Sequence, residues 1–340
     1  MNDGAPQPWW SRLTERALAF LQRYPWLLPT LSFAAGWISF ALVQRGERMA
    51  RGIAALALLG WIALLLEDFL GDWIERLTRG RLNEKLLHFA TQSLQQEIFF
   101  FALPFLIAAT QRDLGQMVFT GIVIFAALAS TIDPLYNARI ASAAARRVIF
   151  HAFCSFLAVL VVLPLALRLP MEQALTLAVV LTIVFTLLSL PRLLRDATPA
   201  RRLLRLTVLA LALGTLWMAR ASIPPAGLQV KQAVITASVS DDLVPGAALP
   251  ALTAAQLADG LDAFVAVRAP QGLSQPVSFD WRQNGVVVDR IAGTIRGGRE
   301  AGYRTYSRKE HFPGDPRGAW TVDLRTSGGQ LICRLDFRVD

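Results

Sequence analysis

Seven apolar runs, each long enough to cross a bilayer as a helix, lie before residue 221, and none lies after it. A spanning helix needs roughly 17–25 mostly apolar residues. The runs are Trp26–Val43, Gly52–Leu70, Leu94–Thr110, Leu114–Ile132, Val148–Leu167, Ala174–Leu190 and Leu203–Ala219. The third is the weakest, because Gln95, Gln96 and Glu97 occupy its first turn. The pattern predicts an α-helical transmembrane bundle of about seven spans over residues 26–220. Composition agrees: 54% of residues are hydrophobic and 17% charged, against about 25% charged in an ordinary soluble domain. These figures argue against a soluble, a disordered or a disulfide-scaffolded chain.

Charge orients the bundle. Residues 1–220 carry 21 Lys and Arg against 13 Asp and Glu, whereas residues 221–340 carry 13 against 12. The basic excess belongs to the apolar half, which points to membrane topology and away from nucleic acid. With the N-terminus inside, the inside flanks and loops hold 15 Lys and Arg and the outside loops between runs hold 5. Only the Arg45–Arg51 loop runs against the positive-inside rule. Seven spans then place the C-terminus outside. Reading the first run as a cleaved signal peptide would leave six spans and the same external C-terminus, but the run is longer than a typical signal core. Residues 1–25 read as an interfacial segment, with Trp9, Leu13, Phe20 and Tyr24 at near-helical spacing and Arg12, Glu15, Arg16 and Arg23 between them.

Ionisable residues in spans are functional candidates. Glu67 and Asp68 close the second run, Glu97 opens the third, Asp133 closes the fourth and His151 lies early in the fifth. All fall at the cytoplasmic level of this topology, where a convergent acidic and His cluster would bind a cation, relay protons or hold a polar headgroup. The competing reading is that they are interfacial caps and ion pairs. No charge sits near the middle of a run and no inverted repeat is visible, which weighs against an ion-coupled transporter. Ala34-Ala35-Gly36 and Ala126–Ser130 are small enough to allow close helix approach.

After residue 220 the chain changes character. Ile223-Pro224-Pro225-Ala226-Gly227 forms a stiff linker, 221–228, since Pro-Pro cannot continue a helix. Short alternating runs then predict strands at Gln229–Val239, Asp262–Arg268, Val277–Arg282, Val286–Thr294, Tyr303–Arg308, Gly318–Arg325 and Leu331–Val339, with a short helix within Pro250–Gly260. Asn284-Gly285 is a strong hairpin turn, and Ser327-Gly328-Gly329 makes a second. Residues 229–340 therefore read as an all-β antiparallel sandwich, immunoglobulin-like in the loose sense. Cys154 and Cys333 fall on opposite sides of the topology and are not expected to pair.

Trp281-x-x-Asn284-Gly285, Tyr303-Arg304-Thr305-Tyr306-Ser307, Gly318-x-Trp320-x-Val322, Gly328-Gly329 and Phe337-x-Val339 together form a pattern. It resembles a small C-terminal domain of bacterial proteins known only as a domain of unknown function, which follows an equally uncharacterised multi-span region. The matching motifs cover about the last 60 residues. The resemblance carries no activity and no site residues. From the residues themselves, Trp281 and Trp320 read as core plugs, while Tyr303, Arg304, Tyr306, Arg308 and Lys309 form a candidate binding face for an anionic or sugar ligand.

Catalytic and cofactor signals are poor. Ser307, His311 and Asp315 lie along one strand and its loop without a nucleophile elbow. No zinc spacing, Walker loop or dinucleotide fingerprint appears, so no metal or cofactor is expected. The expected protein sits in the bacterial inner membrane, N-terminus cytoplasmic. It presents a periplasmic sandwich to a protein, glycan or anionic envelope partner, with the bundle as anchor or signal transmitter. The alternatives are a transporter or lipid-handling protein using the acidic cluster, and a membrane-embedded transferase.

Overall fold

A computed structural model describes residues 20, 23–24, 26–45, 52–53, 55–62, 84–194 and 197–340. Among the described residues six long helices come first: α1 (Leu27–Arg45), α2 (Glu84–Ala109), α3 (Leu114–Thr131), α4 (Ala144–Leu167), α5 (Met171–Leu188) and α6 (Pro199–Met218). Their ends follow local chemistry. Asp113 caps α3, its side chain accepting the Gln116 backbone N–H at 3.2 Å. Pro199 opens α6, where a missing N–H costs nothing. Arg168 ends α4 in the left-handed region at φ 58°, two residues before Pro170.

α1 and α2 run parallel. The Ser32 hydroxyl donates to Glu97 Oε1 at 2.8 Å, Phe33 meets Phe100 edge-on at 5.6 Å, and Phe40 meets Phe105 at 4.9 Å. Successive positions up one helix thus meet successive positions up the other. Gly36 lies in this seam, where a Cβ would overlap the Phe100 carbonyl; the small residue lets the two backbones touch. α4 is central, with 83% of its apolar stretch buried, and α6 is peripheral, with 0%.

Among the described residues, four helical stretches are long and apolar enough to cross a membrane: Leu114–Thr131, Ala145–Leu167, Met171–Leu188 and Pro199–Ser222. Leu27–Val43 is apolar but shorter. Seven spans are therefore not supported. The expected third span is not an apolar helix of its own: α2 starts ten residues before Leu94, carries polar residues through Glu97 and contains Pro104. Part of the second run, with Glu67 and Asp68, lies outside the described residues, as does most of 1–25.

The C-terminal part has eight strands: β1 (Gln229–Thr236), β2 (Ala251–Leu252), β3 (Leu261–Arg268), β4 (Ser274–Gln283), β5 (Val286–Arg296), β6 (Tyr303–Lys309), β7 (Gly318–Thr326) and β8 (Leu331–Val339). They form a three-stranded sheet, β1-β3-β6, and a five-stranded sheet, β2-β8-β7-β4-β5. All pairings are antiparallel except that of β2, two residues long, with β8. The Asn284-Gly285 turn has φ of 49° and 85°, both in the region such a tight hairpin requires. Both sheets feed one apolar core, with Ala263, Val265 and Val267 from the smaller and Phe279, Trp281, Trp320, Val322 and Phe337 from the larger. The expected short helix is a single 3-10 turn, Ala254–Leu257, capped by Thr253 and Gln256.

The stretch 221–228, read from sequence as a linker, is mostly buried. Ile223 and Ala226 belong to the helical core and Leu228 to the β core. The two parts are joined through packed backbone rather than strung on an exposed tether.

Candidate functional site

The five β6 candidates divide between two faces, because side chains alternate along a strand. Arg304, Tyr306 and Arg308 point outward; Tyr303 and Lys309 point toward the core side. Tyr306 is 43% exposed. Arg304 is held near the loop carbonyls of Leu243 and Asp242, at 3.4 and 3.5 Å. Arg308 is spent on Asp262 Oδ2 at 3.2 Å, Glu310 Oε1 at 3.1 Å and the Asp259 carbonyl at 2.6 Å. Its pKa is raised, first by the bond to Glu310 and then by the Asp262 charge. Burial pushes the Asp262 carboxyl up, and Arg308 offsets only part of that.

Lys309 is buried and donates to Asp289 Oδ2 on β5 at 3.0 Å. Two residues earlier, Ser307 accepts the Trp281 indole N–H at 3.0 Å. Both contacts run from the smaller sheet to the larger and tie them together along the β5–β6 side. Ser307 therefore serves packing in this structure, and Lys309 is removed from the exposed face. Tyr303 is half-buried under the Arg299 guanidinium, 5.6 Å from its ring centre.

The described membrane candidates, Glu97, Asp133 and His151, face different neighbours, while Glu67 and Asp68 lie outside the described residues. Glu97 meets Ser32 of α1. Asp133 accepts from Gln92 Nε2 at 2.8 Å, and the same amide reaches the Ser130 carbonyl at 2.9 Å. The His151 ring stacks on Phe185 of α5, centres 4.7 Å apart. The Tyr136 hydroxyl donates to Gln95 Oε1 at 2.8 Å, so the polar links here are built mainly from glutamines. Among the described residues no group of three or more His, Cys, Asp and Glu is placed to hold a metal ion.

Two arrangements escaped the sequence reading. The first is the joint between the helices and the β part. Three glutamines, each fully buried, cross it. Gln116 of α3 donates to the Leu331 carbonyl of β8 at 2.7 Å. Gln275 of β4 accepts the Met171 N–H, at the start of α5, at 2.7 Å. Gln330 donates to the Ile223 carbonyl at 3.0 Å. Glu172 of α5 also receives the Ser327 hydroxyl from the β7–β8 turn. Buried amides of this kind are costly unless bonded, so each fixes the angle between the two parts. The Met171 N–H belongs to the first turn of α5, where a helix leaves donors unmet.

The second is a row of charges across the outer face of the larger sheet. Arg290 of β5, Asp280 of β4, Asp323 of β7 and Arg334 of β8 are successive cross-strand partners. Arg290 grips Asp280 through Nε and Nη2 at 2.8 and 3.1 Å, and Arg334 grips Asp323 likewise at 2.6 and 3.0 Å. Arg325 adds 2.8 Å to Asp323, and Arg282 lies 3.5 Å from it. Burial alone would raise the Asp323 carboxyl, but the bonds from Arg334 and Arg325 outweigh it and hold it below the ordinary carboxylate value. The alternation in β7 and β8 was legible as a wet face; the register that aligns the four charges was not.

A model described as a family of unknown function, DUF5924, matches residues 7–263, more than half the chain. The chain belongs to this family. A second model, described as a protein of unknown function, DUF2914, matches residues 274–339. No curated protein matches. The DUF5924 match runs past the helices through β1 and β2 into β3, while the DUF2914 match starts with β4. β6 lies in the second match and pairs with β3, whose residues 261–263 end the first match. The charge row and all the β6 candidates lie within the DUF2914 match, and the joint has partners in both.

Proposed function

We propose that this chain is an integral protein of a bacterial inner membrane whose helices hold a β-sandwich rigidly on the periplasmic side, where the sandwich recognises an envelope partner. The observation that carries this reading is the joint. Three buried glutamines and a packed 221–228 stretch fix the β part on the α3, α4 and α5 ends. A module that only needed tethering would not require such a seat; one whose binding state must reach the helices would.

The seat of the β part supports this topology. The β part meets the start of α3, the end of α4 and the start of α5. Arg139, between α3 and α4, and Arg146 and Arg147, in the first turn of α4, lie at the opposite end, as the positive-inside rule favours for the cytoplasmic side. The shared core of two antiparallel sheets supports the sandwich. On its outer surface Tyr306, flanked by Arg304 and Arg308, offers a flat amphipathic ring of the kind enriched at recognition sites.

In-cell crosslinking from a photoreactive residue at position 306 tests the reading. A specific protein or cell-wall adduct, lost on Arg304→Ala in a chain that still melts cooperatively, is the expected result. A folded, externally accessible domain that gives no adduct overturns recognition by this face.

A further inference from the structure

The charge row lies close to the level where the helices end. The Leu331 carbonyl receives Gln116 from the first turn of α3, and Leu331 is the cross-strand partner of Arg325. Arg325 Nη1 donates to the Gly329 carbonyl at the β7–β8 turn, 3.0 Å away. Asp323 is two residues further along β7, about 7 Å at the strand rise. α3 has 18 residues, about 27 Å of helix, close to the roughly 30 Å hydrocarbon thickness. If α3 spans, Arg325 sits near the hydrocarbon edge. The row of Arg290 and Arg334 then sits about 7 Å above it, within or just above a headgroup layer about 5–7 Å deep. Asp113, the cap of α3, is close enough to contribute to the field at Arg334.

The neighbouring helix surface suits lipid. Leu114, Met117, Val118, Ile122 and Phe125 of α3 are exposed, while Gln116 turns inward to the joint. A lipid packed along this stripe would bring its phosphate up beside the sheet. There, four guanidiniums surround two buried carboxylates, with the carboxylates of Asp336 and Asp113 at the margins. Each fork-to-fork grip uses two of an arginine's five N–H donors. The rest are held in fixed directions by the carboxylates behind them, and the Arg290 and Arg334 side chains remain 64% and 35% exposed. Pre-set guanidinium donors are the groups best matched to phosphate oxygens.

We propose that Arg282, Arg290, Arg325 and Arg334 bind the phosphate of an anionic lipid headgroup packed beside α3. The proposal rests on the membrane-spanning reading above, and its test separates the two. The full chain is purified in neutral detergent with equimolar phosphatidylglycerol and phosphatidylcholine, and retained lipids are counted by native mass spectrometry. Preferential phosphatidylglycerol retention is expected, weakened roughly tenfold by Arg282→Gln, which leaves both fork-to-fork pairs intact. The paired change Arg290→Gln with Asp280→Asn, which leaves no orphaned carboxylate, should weaken it similarly. Equal retention by wild type and both variants overturns the proposal. Retention of inorganic phosphate in place of lipid overturns the lipid source. Alkaline carbonate washing of cell membranes supplies the other control: wild type released by it would sink the membrane reading. Wild type that stays in the pellet without a phosphatidylglycerol preference sinks this site alone.

Discussion

Asp280 and Asp323 stand directly opposite each other on β4 and β7, both almost wholly buried. Like charges in that relation destabilise a sheet. Here each is neutralised from its outer side, Asp280 by Arg290 and Asp323 by Arg334. Arg334→Gln would strip Asp323 of its shortest bond and should lower stability by about 1.5–3 kcal/mol, the range for hydrogen bonds to a charged group, because Arg325 and Arg282 still face the carboxylate. Adding Asp323→Asn should recover part of that loss. Denaturant melts of the full chain in detergent compare the single and double variants; an equal loss in both would show that the charge relation is not the cause.

Acid should act on this part in two opposed stages. The Asp262 carboxyl lies above 3.8 in the folded chain because it is buried. The native state therefore takes up its proton first, and stability gains as pH falls through that raised value toward 3.8. Asp323 lies below 3.8. Its contribution is complete above 3.8 and is lost as pH falls through its lowered value. Melting temperature against pH should thus fall away below 3.8, and Asp262→Asn should remove the gain above it while leaving the loss.

Gly36→Ala should part α1 from α2. The new methyl would meet the Phe100 carbonyl, which is backbone and cannot rotate away. Overpacking of this kind costs typically 1–3 kcal/mol. The expected result is a lower melting temperature with faster hydrogen exchange in α1. An unchanged protein would show that the seam is looser than described.

The joint can be opened one contact at a time. Gln275→Met removes the acceptor for the Met171 N–H and should cost about 1–3 kcal/mol, the range for a buried group left unbonded. Hydrogen exchange should rise at the start of α5 and leave the β5–β6 side protected. Uniform deprotection would mean the β part itself had failed, not the joint.

Cys333 faces the core of the larger sheet, and burial pushes its thiol up to about 12. The reactive species is the thiolate. Alkylation of Cys333 near pH 8 should be negligible in the native chain and complete in denaturant. Fast native labelling would show that β8 opens locally.

Much of the β part was legible because strand side chains alternate. Alternation along β8 puts Leu331, Cys333, Leu335, Phe337 and Val339 on one face, and all five are buried. The same rule puts Arg304, Tyr306 and Arg308 together and sets Tyr303 and Lys309 on the opposite face, so the five candidates do not make one surface. The α2 start was misjudged because apolarity marks the membrane-compatible segment, not the helix, which continues upstream to Glu84. The joint was hidden for a different reason. Gln116 and Leu331 lie 215 residues apart, and a glutamine in sequence looks the same whether it meets water or a distant carbonyl.

The pairing of β3 with β6 ties the two matched regions into one hydrophobic interior. Either region expressed by itself would be half a clamshell, with Trp281 lacking Ser307's sheet-mate β3 on one side or β3 lacking its edge partner on the other. The two regions are therefore not beads on a string that can be reshuffled freely. A change that resizes a core residue on β3 is felt by the residues around Trp281, since both belong to the same interior.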